Sequence, residues 1–133
     1  MTTVFADCYY YLALVNERDE GHAKAVEFIR NFPGRIITSE WVLTEVGDVL
    51  VQPQKRFAFL QLLQSVLDDP QTTIVEANHE SFAHGVNLFA ERPDKDWSLT
   101  DCISFVVMEN NGIREALTAD DHFEQAGNVA LLT

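Results

Sequence analysis

The sequence predicts a three-layer α/β/α domain built on a mostly parallel central sheet. Three observations carry that expectation. Short apolar, β-branched runs alternate with helical stretches, and strands separated by helices require crossover connections, which imply parallel pairing. Hydrophobic residues make up 47% of the 133-residue chain, enough to cover such a sheet on both faces. No repeat, low-complexity tract or linker interrupts the alternation, so residues 1–133 read as one domain.

Taken in order, Thr2-Thr3-Val4-Phe5-Ala6 reads as a first strand ending at Asp7. Tyr10, Leu12 and Leu14 follow in a helical segment, and Tyr9-Tyr10-Tyr11 reads as its packing face rather than a platform for stacking bases. From Asp19, Ala23, Val26, Phe28 and Ile29 recur mostly in three- and four-residue steps, a helix stopped by Pro33-Gly34. Arg35–Thr38 is the second strand, and Ser39 caps a helix carrying Trp41, Val42, Val46, Val49 and Leu50. Pro53 suits the first turn of the next helix, whose Phe57, Leu60, Leu63 and Leu67 form one apolar stripe. That stripe fits ordinary core or, with Lys55-Arg56 at its start, an exposed partner or dimer face. Thr72–Val75 is a third strand, and Asn78 caps a helix with Phe82, Val86 and Phe89 on one face. After a polar loop from Arg92 to Trp97, Ser98 starts a helix through Ile103, Val106 and Val107, closed by Asn110-Asn111-Gly112. Ala116-Leu117-Thr118 and Val129–Leu132 are the last two strands, with a brief helix around Phe123 between them and Gly127 as its C-cap.

Charge narrows the function. Nine Lys and Arg against 21 Asp and Glu give a net charge of −12, which opposes passive nucleic-acid binding through the bare surface. No apolar run is long enough for a membrane span, and the N-terminus lacks the basic and apolar regions of a signal peptide, so the expected location is cytoplasmic, away from the membrane. Cys8 and Cys102 lack metal-knuckle spacing and read as buried free thiols. His22, His79 and His84 read as scattered surface or satisfied histidines. His122, two residues past Asp120, is a candidate phosphate contact.

The acids are informative by position. Ligands of open α/β sheets bind outside the carboxyl ends of the strands. Asp7 directly follows the first strand, and Asp120 directly follows Glu115-Ala116-Leu117-Thr118-Ala119. Glu45 and Asp101 lie early in helices opened by Ser39 and Ser98. Each has a plain alternative: Asp7 and Asp120 as turn residues, Glu45 as a solvated helix edge, Asp101 as the N3 partner of a capping box. Together, four converging carboxylates would repel one another unless they surround a cation. With no His or Cys at ligand spacing, the donors suit Mg²⁺ or Mn²⁺, and phosphodiester hydrolysis is the chemistry such a site supports best.

The ordered set Asp7, Thr38-Ser39 with Glu45, Ser98-Leu99-Thr100-Asp101, and Thr118-Ala119-Asp120-Asp121-His122-Phe123 with Gly127 resembles the PIN-domain family of metal-dependent ribonucleases along the whole chain. Small proteins of this kind resemble the toxins of VapBC toxin–antitoxin pairs. The resemblance implies Asp7, Glu45, Asp101 and Asp120 as the acidic metal site, Thr118 as the hydroxyl that orients it, and Asp96 as a supporting acid. It further implies Mg²⁺ or Mn²⁺ as cofactor, RNA as substrate, endonucleolytic cleavage, a homodimer, and a small antitoxin partner with a basic tail. Two positions depart from the family pattern. Cys8 stands where Thr or Ser is frequent, and Asp121 where a basic or polar residue is frequent. They keep open an alternative, a catalytically weak or inactive PIN-like module acting through protein partners. A phosphate-accepting receiver domain fits less well, because no Lys follows Lys95.

Overall fold

The computed structural model describes residues 2–133. Five strands form one sheet: β1 (Thr3–Ala6), β2 (Arg35–Ser39), β3 (Thr72–Val75), β4 (Glu115–Leu117) and β5 (Val129–Ala130). Their spatial order is β3-β2-β1-β4-β5, and every pairing is parallel. Seven helices flank the sheet: α1 (Cys8–Val15), α2 (His22–Asn31), α3 (Glu40–Val49), α4 (Pro53–Asp68), α5 (His79–Glu91), α6 (Leu99–Asn110) and α7 (Asp121–Gln125). This is the α/β/α architecture expected, with the sheet wholly rather than mostly parallel.

Chain order and space order diverge at β1. The chain runs outward from β1 through β2 to β3, then returns to add β4 and β5 on the other side. The reversal creates a crevice between the carboxyl ends of β1 and β4, where such folds bind ligands. Val4, Phe5 and Ala6 in β1, with Ala116 and Leu117 in β4, are at most 1% exposed. The crevice therefore rests on the most buried part of the core.

Helix ends follow local chemistry. Ser39 Oγ accepts from the Val42 amide at 3.2 Å, and Asn78 Oδ1 from the Ser81 amide at 2.8 Å, as their cap positions predict. Gly112 (φ 66°) and Gly127 (φ 90°) occupy left-handed backbone just past α6 and α7, where a Cβ would be strained.

Of the two readings of the α4 stripe, the exposed face holds for most of it: Phe57 is 68% exposed and Leu60 and Leu67 each 59%, while Leu63 is half-buried and Leu62 and Val66 face inward. Three other readings need correction. On α5, Phe82, Val86 and Phe89 are also exposed, and the helix instead buries Ser81 and Gly85. A Cβ at Gly85 would fall on the Ile103 side chain, so α5 and α6 meet through the absence of a side chain. On α2 the buried position is Ala25, whereas Ala23 and Ile29 are exposed. β5 stops at Ala130, two residues short of expectation. The tyrosines pack as expected, with Tyr10 and Tyr11 buried.

Candidate active site

Four elements deliver the acids to the crevice. Asp7 is the residue between β1 and α1, 4% exposed at the carboxyl end of the central strand. Glu45 lies in the second turn of α3, half-buried among Val42 and Val46. Asp101 is in the first turn of α6 and buried. Asp120 caps α7: β4 ends at Leu117, and Asp120 follows three residues later as the N-cap, accepting from the His122 amide at 2.9 Å.

Thr118 ties two of these elements together. Its hydroxyl donates to Asp7 Oδ2 at 2.9 Å and accepts from the Asp120 amide at 3.0 Å, and the side chain is fully buried. One hydroxyl thus fixes an acid after β1 and the backbone of an acid after β4. Asp101 is held by a complete capping box. Its amide donates to Ser98 Oγ at 3.0 Å, and the Ser98 amide donates to Asp101 Oδ2 at 3.1 Å. The capping carboxylate is therefore also one of the acids at the crevice. The same Oδ2 lies 3.0 Å from His122 Nδ1, which is also 3.5 Å from Asp120 Oδ1.

The residues fall into two adjoining groups whose candidate ligand atoms lie within 4.8 Å of one another, Asp7–Cys8–Glu45 and Asp101–Asp120–His122. All four expected acids are included. Asp96 is exposed on the loop before α6 and belongs to neither group. Cys8 and His122 correct the all-oxygen picture: each is a sequence neighbour of one acid, and the fold adds a second acid, Glu45 beside Cys8 and Asp101 beside His122. Cys8 is half-buried rather than buried, and only Cys102 is a core thiol.

Electrostatics match a site built for a cation. Burial pushes the Asp7 carboxyl up to about 7, against the Thr118 and Cys8 hydrogen bonds, with the Asp101 and Glu45 charges adding to the rise. Burial, then the charges of Asp7 and Glu45, push the Cys8 thiol well above its ordinary range. Burial works against the His122 imidazolium, but the Asp101 hydrogen bond and the Asp120 and Asp101 charges outweigh it and raise its pKa. Among the described residues, no Lys or Arg forms an ion pair with any of the four acids. The basic group paired with them among the described residues is the His122 imidazole. A set of clustered carboxylates with a deficit of positive charge fits a divalent ion.

The wall beyond this site is aromatic. Trp97 packs edge-on against Phe105 (centroids 5.1 Å apart) and Phe105 against Phe123 (4.9 Å), while Trp97 Nε1 donates to Gln125 Oε1 at 3.1 Å. Trp97 is therefore a core anchor that ties the loop preceding Asp101 to the helix carrying His122.

A family model for the PIN domain matches residues 7–129, a span that begins at the first acid and takes in all four. The chain belongs to the PIN-domain family. Among characterised PIN proteins it is 26% identical, over 129 residues and 95% of each chain, to the 23S rRNA-specific endonuclease VapC20 of Mycobacterium tuberculosis, in strains CDC 1551 / Oshkosh and ATCC 25618 / H37Rv alike. The crystal structure of VapC20, described as a sarcin-ricin loop cleaving toxin, matches with a TM-score of 0.87 at 24% identity over 95% of this chain and 96% of that one. Two more distant structures share the PIN fold. VapBC2 of Rickettsia felis, bound to a promoter DNA fragment, has a TM-score of 0.68 at 14% identity and covers 97% of this chain and 96% of its own. FitAcB of Neisseria gonorrhoeae has a TM-score of 0.70 at 15% identity over 96% and 94%.

Proposed function

We propose that this PIN-domain protein is a cytoplasmic endoribonuclease that hydrolyses RNA phosphodiester bonds with Mg²⁺ or Mn²⁺ held by Asp7, Glu45, Asp101 and Asp120. The observation that carries the reading is the convergence of these acids at the β1/β4 crevice, in a chain similar from end to end to a 23S rRNA-specific endonuclease. A bound divalent ion would supply an activated water and charge stabilisation at the scissile phosphate. The protein's own contribution is positional. Thr118 orients Asp7 and the start of α7, Ser98 orients Asp101, and His122 Nδ1 spans Asp101 and Asp120. His122, whose imidazolium is favoured by the neighbouring acids, is also the basic group at the crevice that could contact a phosphate. Asp96 would act only as an outer support, from its exposed loop.

The same reading makes the chain the toxin of a toxin–antitoxin pair, with ribosomal RNA as the first substrate to test. The −12 charge suits a small antitoxin with a basic tail. The exposed apolar faces of α4 and α5 offer surface for that partner and for a homodimer. No helix among the described residues is long and apolar enough to cross a membrane. The deciding assay incubates ribosomal RNA with the protein in Mn²⁺ or Mg²⁺. Discrete cleavage is expected, lost on chelation and in Asp101→Asn. Cleavage that survives both would show that these acids are not the active site.

A further inference from the structure

The four carboxylates are not the only donors at the crevice. Each half of the site carries one softer atom. Cys8 Sγ lies within 4.8 Å of a carboxylate oxygen of Asp7 and of Glu45, and a His122 nitrogen within 4.8 Å of oxygens of Asp101 and Asp120. Both side chains are fixed by the fold. Cys8 opens α1 one residue past the central strand, directly after Asp7, and His122 sits in the first turn of α7, with its ring facing both acids. Mg²⁺ takes oxygen ligands and binds thiol and imidazole poorly, whereas Zn²⁺ and Cd²⁺ accept sulfur and nitrogen readily.

We propose that Cys8 and His122 set the metal selectivity of this site, turning it from a Mg²⁺ centre toward ions that accept sulfur and nitrogen, with Zn²⁺ and Cd²⁺ bound more tightly than Mg²⁺. The inference rests on the reading of the four acids as a metal centre and adds which ions that centre favours. It also assigns a role to the position where a family hydroxyl is replaced by a thiol. A hydroxyl there would add one more hard donor, and the sulfur changes the kind of ion the Asp7 half can hold.

The test uses the full-length protein, stripped with a chelator and then dialysed. Cd²⁺ titration is followed by the ultraviolet thiolate-to-cadmium charge-transfer band, and Zn²⁺ and Mg²⁺ binding by calorimetry, in the parent protein and in Cys8→Ser, His122→Gln and Cys102→Ala. Thermal unfolding of each confirms that it is folded. The chain has only two cysteines, and Cys102 is fully buried, so the band should appear in the parent and Cys102→Ala and vanish in Cys8→Ser. The ratio of Zn²⁺ to Mg²⁺ affinity should fall at least about tenfold in Cys8→Ser and in His122→Gln, the lower end of what disturbing a metal site costs. A parent protein with no band, or a ratio unchanged in both variants while both ions bind, would overturn the selectivity inference and leave the metal centre standing. Absence of any divalent binding by the folded parent would remove both.

Discussion

Asp7 is the residue at which structure and function pull hardest against each other. Its carboxyl titrates near 7 in the folded protein, against 3.8 for the ordinary group. A raised carboxyl pKa means that the folded state binds the proton more tightly than the unfolded chain. Its stabilisation is complete below pH 3.8 and is lost as pH rises through about 7. With a chelator present, the contribution of Asp7 to urea stability should therefore decline between about pH 4 and pH 7, by a few kcal/mol at most. Asp7→Asn should flatten that decline, because Asn can still accept from Thr118, while abolishing RNA cleavage. An undiminished pH slope in the variant would contradict the burial argument. Asp101 allows the opposite separation. Ser98→Ala removes half of the capping box and should cost about 1 kcal/mol of stability with cleavage retained. Asp101→Asn should abolish cleavage. Most of this was legible at the residue scale, because a strand-end Asp and a Ser-x-x-Asp pattern are local signals. Cys8 and His122 were not. Each neighbours one acid in sequence, but its second acid, Glu45 or Asp101, comes from another element, which no local pattern shows.

At the scale of elements, periodicity located every helix but misread the buried face of α2 and α5 and left that of α4 open. α4 carries apolar residues around most of its circumference, so Phe57, Leu60 and Leu67 match a helical stripe as well as the buried Leu62 and Val66 do. α5 buries a serine and a glycine, and small residues used for close approach leave no hydrophobic signal. Two predictions follow from these surfaces. Gly85→Ala should destabilise the protein by about 1–3 kcal/mol, because the added methyl meets Ile103 in a filled interface. Thermal unfolding would show it, and an unchanged midpoint would mean that α5 shifts freely over α6. Phe57→Asp with Leu60→Asp should leave the unfolding midpoint within a few degrees of the parent, since both side chains are mostly exposed. The pair should also weaken self-association or antitoxin capture, measured by light scattering and co-purification. Loss of folding instead would place these residues in the core.

For the whole molecule, the net charge of −12 should make RNA binding depend on a cation. Anisotropy with labelled RNA and the Asp120→Asn protein kept cleavage-deficient should show weak binding in chelator. The parent, in Ca²⁺ as a slow-reacting stand-in, should bind more tightly. Equal binding in both conditions would mean that the bare surface suffices. Saturating metal should also raise the stability of the parent, by about 2.7 kcal/mol at 100 times the dissociation constant. The global fold was readable because its governing signal, strands alternating with helices, is distributed along the entire sequence. The order β3-β2-β1-β4-β5 was not, since parallel crossovers leave the side on which β4 is added to long-range packing.

That strand order also sets a clock on synthesis. The middle strand of the sheet is made first and its second neighbour almost last, so the crevice cannot close until the ribosome has released β4 and α7. A chain stalled or cut before residue 115 holds Asp7, Glu45 and Asp101 but has no Thr118 to align Asp7 and no Asp120 to complete the ring. For a protein read as a toxin, activity is thereby the last thing to be assembled. Unfinished copies lack half of the proposed metal site by topology alone.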